Sequence, residues 1–490
     1  MNMIPFKGDF IDGRFVLPRA GSERAVSEDP GDLDRPVGEF TFDEAAVDDA
    51  VQAARRAFGP WSKRSTKERT GYLIRFRHIL KARASEFARL ISREMGKVLS
   101  ESKAEIARVL AKLDSARREE ADLIRSTVHP IERGVVGRLR FRPRGVVAIL
   151  SPFNVPAYLA SAQIIPALLH GNTVVYKPSE LTPFVGQFIA SAWKEAGLPK
   201  GVFNLVQGAG VVGQTLVSHS NVDVVIFTGS WAVGSKVQEQ VSRHPHKLCA
   251  LEMGGKNSAI VCRDADFSVA LDETVSGAYL TTGQRCNATS RIIVEEPIAN
   301  RFIDGFLRRV NSIAIGYSQD LNAWMGPLVS EKTLKRVEGY LTRARAEGFE
   351  VLREGGRFDC GRKGHYLKPS VHLRRHFPNE PLQDGTYTDD EVFGPDVAIY
   401  IVRNLDEAIA LNNRSHYGLV ASIFTKSKAK FERVLREAEN GLIHWNAATT
   451  RSSGRLPFGG LKRSGNDRPV GFFSPYVCTI PTSSVERALL

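Results

Sequence analysis

Disulfide bonds are not what this chain relies on. It has five cysteines in 490 residues, an odd number, widely scattered. There is no CxxC pair and no Cys/His cluster, so neither a disulfide framework nor a metal site is expected. Long hydrophobic runs are also missing. The longest, Tyr158–Leu169, is too short to span a bilayer and contains Gln163 and Pro166. The segment Met1 to Leu17 lacks a basic stretch followed by an apolar one, so no secretion signal is expected. Internal repeats and low-complexity tracts are absent as well. The expected setting is a reducing cytoplasm, with no membrane partner and no metal.

What is present is ordinary globular composition, 42% hydrophobic and 25% charged, in a chain longer than one core usually holds. Two or more domains are expected. The net charge is +13, which suits nucleic acid, a membrane surface or an acidic small molecule. No basic run is interleaved with aromatics and no nucleic-acid-binding motif stands out, so no nucleic-acid partner is expected. The basic residues are spread out, densest over 133–144, and read first as a solvated surface.

Apolar spacing divides the chain. From Glu44 to about Arg125 it is helical, with Phe76, Ile79, Leu80, Phe87, Leu90 and Ile91 recurring at three- and four-residue steps. Over 137–144, Leu139 and Phe141 alternate with Arg138, Arg140 and Arg142, the pattern of an exposed hairpin strand. Four short apolar runs follow: Val146–Leu150, Thr173–Tyr176, Val202–Val206 and Val222–Phe227. Helical stretches separate them, which predicts a parallel sheet covered on both faces, with ligands at the carboxyl ends of its strands. A second α/β stretch runs from about Gly254 to Arg463, and the tail from Tyr476 to Ser484 is again strand-like.

Several residues at predicted strand ends carry chemistry. Cys286, in Gly283-Gln284-Arg285-Cys286, has polar neighbours on both sides, unlike Cys249, Cys262 and Cys478. It is a nucleophile candidate, and the adjacent arginine is expected to favour thiolate. Glu252 precedes a double glycine at the end of an apolar run and can act as a general base. Asn154, between Pro152 and Pro156, is a stiffened amide suited to hold an oxyanion. Each also has a plainer reading, as a small buried residue, a loop acid or a turn asparagine. Glu180, after Lys177, can meet a ribose hydroxyl. Gly229, Ser230 and Gly234 open a helix suited to a pyrophosphate. The GxGxxG match at Gly208–Gly213 is weak, because it follows the third run and no acid stands at the usual offset.

Taken together, these segments resemble the aldehyde dehydrogenase superfamily. Seven match in order: 151–156, 171–180, 227–230, 251–257, 283–286, 391–395 and 456–460. The resemblance implies an α/β fold of two doubly wound α/β domains plus a small β oligomerisation hairpin. It allots 1–125 and 144–254 to an NAD-binding domain and 255–465 to a catalytic domain. Residues 126–143 and 466–490 form the oligomerisation hairpin and tail. It implies Cys286 as nucleophile, Glu252 as base and Asn154 as oxyanion donor. The cofactor, NAD, is expected to meet Phe153, Lys177, Glu180, Gly213, Phe227, Gly229, Ser230, Gly234, Glu391 and Phe393.

Within the superfamily the chain most resembles the group acting on N-succinylglutamate 5-semialdehyde in arginine catabolism, through Leu251–Gly255 and Gly465–Pro469. It departs from that group at Lys256, Ser258 and Asp467. The expected substrate is thus an aldehyde carrying carboxylates, with Arg451, Arg455 and Arg468 as candidate anion ligands and Phe458 at the entrance. A dehydrogenase for another semialdehyde, a CoA-acylating aldehyde dehydrogenase and a non-catalytic homologue remain alternatives, although a retained Glu252 favours water over CoA. The open strands over 126–143 and in the tail predict a homodimer or homotetramer.

Overall fold

A computed structural model of the chain describes residues 3–19, 21–118, 120–375 and 383–487. The chain builds two seven-stranded sheets. In the first, the strands run in the spatial order Leu248–Met253, Val224–Gly229, Val146–Leu150, Thr173–Lys177 and Phe203–Leu205. These five are parallel, and the short strands Asp9–Ile11 and Arg14–Val16 extend the sheet at one edge in antiparallel sense. Val146, Val147, Ala148 and Ile149 have no exposed surface. A strand covered on both faces has to be apolar throughout, which is why these runs do not alternate.

The helices between the strands start where the sequence marks them. Pro156 and Pro183 each open a helix, Pro156–Leu169 and Pro183–Glu195, at positions where a missing N–H costs nothing. The predicted helical region is four helices: Ala46–Ser62, Thr66–Ala82, Ala84–Met95 and Leu99–Arg118. The apolar run from Phe76 to Ile91 is therefore not one helix. Arg83 leaves helical geometry between the second and third. Phe76 and Phe87 remain fully buried, stacked on Trp193 at 3.7 Å and Phe188 at 4.0 Å. Both partners lie on Pro183–Glu195, so this layer packs against the helix that covers the first sheet.

The second sheet runs Glu350–Arg353, Ser370–Arg374, Asp396–Val402, Thr289–Glu295, Asn257–Val261, Val420–Phe424 and Leu442–Trp445. It is parallel except for its first strand. The arginine-rich strand Val135–Pro143 lies between Thr127–Glu132 and the tail strand Thr479–Arg487, so the tail closes one edge of the hairpin. Glu486 pairs with both Arg138 and Arg140 across that seam. Among the described residues no helix is long and apolar enough to cross a membrane.

The two sheets are joined at the point where the chemistry lies. Leu248–Met253 ends the first sheet's chain run, and Asn257–Val261 begins the second only a few residues later. The outer edge of Leu248–Met253 is covered by a distant loop. Met253 N–H donates to Ser464 O and Asn466 N–H to Leu251 O, each at 3.0 Å. Gly465 makes this approach with φ +130, and a Cβ there would lie 2.2 Å from Leu251 O, so the seal requires glycine.

Candidate active site

Glu252 stands opposite Thr228 near the end of its strand and has no exposed surface. Neither carboxyl oxygen accepts a conventional hydrogen bond. Burial pushes its pKa up to about 8, the Cys286 thiol lowers it somewhat, and the Glu391 charge raises it. Glu391 itself is pushed to about 7 by burial, offset by the Gly255 N–H it accepts at 3.0 Å. Gly254 leaves room for that carboxylate, since a Cβ there would lie 2.0 Å from Glu391 Oε2.

The loop before Cys286 is strained and heavily tied. Thr281 and Thr282 both have φ +57, a conformation that costs a β-branched residue roughly 1–3 kcal/mol each. Glu101 holds the first, accepting from Thr281 N–H at 3.1 Å and Thr281 Oγ1 at 2.8 Å. Thr282 Oγ1 donates to Gly326 O at 2.9 Å, and Gln284 Oε1 accepts from Val329 N–H at 3.0 Å. On the far side, Asn257 Nδ2 donates to the carbonyls of Cys286 at 2.8 Å and Ala288 at 2.9 Å. The nucleophile candidate is thus pinned from the helix Leu99–Arg118 on one side and from the second sheet on the other.

Arg285 does not act on the thiol as the sequence suggested. Its guanidinium turns to Glu101, 2.6 Å away, and to Thr281 Oγ1 at 2.7 Å. A cation already paired adds little field at its neighbour, and Cys286 is pushed well above the ordinary thiol value by burial and by the charges of Glu252 and Glu391. The resting side chain is a thiol.

Asn154 and Cys286 form part of the wall between two cavities. One, of about 190 Å³, is also lined by Phe153, Gly229, Ser230, Glu252, Glu391 and Phe393. The other, of about 40 Å³, is lined by Tyr158, Leu159 and Phe458 among others. Asn154 Oδ1 accepts from Val155 N–H at 3.0 Å, which leaves its NH₂ as the donating end. The helix behind it is fixed by Glu105, which accepts from Ala157 and Tyr158 N–H at 2.8 and 3.0 Å and pairs with Lys97 at 2.6 Å.

Five of the ten cofactor candidates, Phe153, Gly229, Ser230, Glu391 and Phe393, line the larger cavity. Phe153 meets Phe393 edge-on at 5.9 Å, and Phe393 takes φ +54 to do so. Lys177 is buried, with Glu180 half exposed 3.8 Å away. Gly213 lies against Lys177, where a Cβ would come 3.5 Å from Lys177 Cδ. Phe227 is buried and Gly234 packs on Met253; neither lines the cavity. Ser230 gives no side-chain cap to helix Trp231–Ser242, so the first N–H groups of that helix remain suited to an anion. Lys332, Thr333 and Arg336 also line this cavity. Nothing in their local sequence marks them, since they sit on an amphipathic helix far along the chain.

The arginine candidates fare differently. Arg451 is exposed and paired with Glu273 at 2.8 Å, and Arg468 donates to Gly460 O at 2.7 Å. Neither lines the cavities, because each is taken by a nearer partner. Arg455 lines an outer cleft of about 460 Å³. Arg108, which lines both that cleft and the small cavity, was not a sequence candidate. Asp384, Asp389 and His416 cluster within 4.8 Å. Arg463 pairs with Asp384, and Asp389 accepts from Ser415 Oγ at 2.8 Å and meets His416 Nδ1 at 2.6 Å, so their acceptors already serve the protein.

The sequence profile of the aldehyde dehydrogenase family matches residues 20–477. The chain belongs to that family. This aldehyde dehydrogenase is 37% identical over 487 residues to the N-succinylglutamate 5-semialdehyde dehydrogenase of Caulobacter sp. (strain K31), covering 98% of the chain and 96% of that protein. It is 37% identical over 464 residues to the alpha-ketoglutaric semialdehyde dehydrogenase of Bacillus subtilis (strain 168), covering 93% of each. Among solved structures it resembles the indole-3-acetaldehyde dehydrogenase of P. syringae in complex with NAD+ and IAA. The TM-score is 0.93 at 30% identity, over 99% of this chain and 98% of that one.

The opposed carboxyl and thiol of this aldehyde dehydrogenase yield a direct check. Glu252→Gln removes the neighbouring negative charge, so the Cys286 pKa falls. Alkylation of Cys286 by iodoacetamide should then reach half its maximal rate at lower pH than in the wild type. An unchanged profile would show that the two groups do not sense each other.

Proposed function

We propose that this aldehyde dehydrogenase oxidises a carboxylate-bearing semialdehyde, N-succinylglutamate 5-semialdehyde first, through a thioester on Cys286. The observation that carries the chemistry is that Cys286 and Asn154 lie between two cavities, with the unpartnered carboxyl of Glu252 in the larger. The aldehyde enters from the smaller one. Glu252 in its carboxylate form takes the thiol proton, and Sγ of Cys286 attacks the aldehyde carbon. The Asn154 NH₂ and the Cys286 backbone N–H hold the oxyanion. The residues of the larger cavity fit NAD, which when bound supplies the acceptor for the hydride that leaves that carbon. Once the thiol proton has passed from Glu252 to solvent, its carboxylate draws a proton from water as that water attacks the thioester carbon; the C–S bond breaks, Cys286 leaves as thiolate, and the acid departs.

Cys286→Ala should abolish oxidation. Glu252→Gln should retain acyl-enzyme formation, because without the neighbouring charge the Cys286 thiol ionises to solvent more readily, but stall hydrolysis, giving a stoichiometric burst and a mass increase on the protein. Because the base is the ionised form of a carboxyl held at about 8, wild-type deacylation should rise as pH increases through that value. Wild-type turnover by Cys286→Ala would overturn the reading.

The half-exposed carboxylate of Glu180 supports NAD over NADP, since a 2′-phosphate there meets a like charge. Support for an acidic substrate comes from the semialdehyde names of the two sequence relatives and from the arginines of the outer cleft. In steady-state kinetics, kcat/KM should be higher for NAD than for NADP, with the gap narrowed by Glu180→Gln. It should also be higher for an acidic semialdehyde than for a neutral aldehyde of the same length. A reversed order in either comparison defeats that part.

An exposed strand edge supports assembly as a homodimer or homotetramer. The strand Thr127–Glu132 is exposed throughout and unpaired on one edge, and it presents Val128 and Ile131 at 51% and 57% exposure. Light scattering should give at least twice the chain mass. A monomer at micromolar concentration would refute this.

A further inference from the structure

Resting on the acidic-substrate reading, we propose that Arg108 selects the substrate carboxylate at the neck between the small cavity and the outer cleft. Arg108 lines both spaces, together with Tyr158, Ser452 and Ser453. Cys286 closes the inner end of the small cavity, while Arg118 and Arg455 stand around the outer cleft. A molecule reaching the thiol from that cleft must pass this guanidinium.

Arg108 differs from Arg285 and Lys112, the cations on either side of it, in what it is bonded to. Arg285 is neutralised by Glu101 at 2.6 Å. Lys112 is buried and donates to Gly471 O at 3.1 Å and Ser474 Oγ at 3.2 Å. Asp114, the acid of the outer cleft, is engaged by Arg77 at 2.9 Å and Arg117 at 3.7 Å. Arg108 meets the Tyr158 ring, 4.1 Å from its centroid, and donates from Nη2 to Ser452 Oγ at 3.1 Å. Among the described residues it has no carboxylate partner. The ring and the hydroxyl position the guanidinium but leave its charge and most of its N–H donors for an incoming anion.

The shapes of the two spaces define the ligand. The small cavity, about 40 Å³, takes an aldehyde on a slim unbranched arm. Its walls include the apolar Val155, Leu159, Phe458 and Val470, and the cation among them, Arg285, is already paired with Glu101, so the cavity offers an anion little. A carboxylate on the same molecule therefore stops at the neck, where it meets Arg108 in partly desolvated surroundings that strengthen the pairing. The remainder extends into the wider outer cleft. The substrate class is a semialdehyde whose acid group sits a short aliphatic arm from the aldehyde, with further bulk allowed beyond it.

The test compares a short carboxylate semialdehyde with the neutral aldehyde of the same length, in wild type, Arg108→Gln and Arg108→Lys, with NAD saturating. The ratio of kcat/KM, acid over neutral, should fall about ten- to a hundredfold in Arg108→Gln, chiefly through KM. Arg108→Lys should keep part of it, since it retains charge without the paired N–H geometry, and it reads the same ratio if the glutamine variant does not fold. Equal losses on both aldehydes would mark a packing role through Tyr158 and overturn the assignment. So would an acid preference that survives Arg108→Gln. A wild type that prefers the neutral aldehyde would instead defeat the acidic-substrate reading itself.

Discussion

A buried carboxyl whose donor is no more than a thiol is an expensive thing to fold around, and the site is arranged about that of Glu252. Strong hydrogen bonds to it would hold it ionised, and open water would do the same. The Cys286 thiol does so only in part. Thr228 pairs beside it on one strand, the Ser464–Asn466 segment seals the other edge, and Gly254 lets Glu391 close in from beyond. The cost is borne by the first sheet, whose central strands are fully covered and gain enough from burial to fix one awkward group at their ends.

The second support is a helix that touches no reacting atom. Leu99–Arg118 buries Ile106, Val109 and Leu113 on one side. Along a neighbouring stripe it presents Glu101, Glu105, Arg108 and Lys112, at the three- and four-residue steps that share a face. Glu101 secures the Cys286 loop, Glu105 the helix behind Asn154, and Lys112 the chain at Gly471. One rigid element thus sets the relative positions of segments widely separated in sequence, and the left-handed turn at Thr281 and Thr282 persists because it is bonded from this side.

How much of this the sequence made legible depends on whether the signal was local. The strands of the first sheet are contiguous apolar runs, and Pro156 and Pro183 mark helix starts, so both could be read from neighbouring residues. Asn154 follows such a run, Glu252 stands near the end of one, and Cys286 lies in a short polar motif just before strand Thr289–Glu295; the structure brings all three to one cavity. The arginines were a different matter. Arg451 and Arg468 looked well placed in sequence, but Glu273 and Gly460 hold them, and those partners lie outside any local window in the first case and in a backbone carbonyl in the second. Arg108 is one charge among many on a helix, and only the packing of Tyr158 and Ser452 against it distinguishes it. The break at Arg83 was invisible for the opposite reason, since the apolar spacing continues smoothly across it.

The protonated resting state of Cys286 also bears on how the protein survives between encounters with substrate. Peroxide and other electrophiles attack thiolate far faster than thiol. A side chain kept neutral by burial and by the charge of its own base, with Arg285 turned away to Glu101, is shielded by chemistry rather than by a lid. Its reactivity is released when the thiol proton leaves, so the same surroundings that would serve the turnover also keep the sulfur unreactive while the pocket waits.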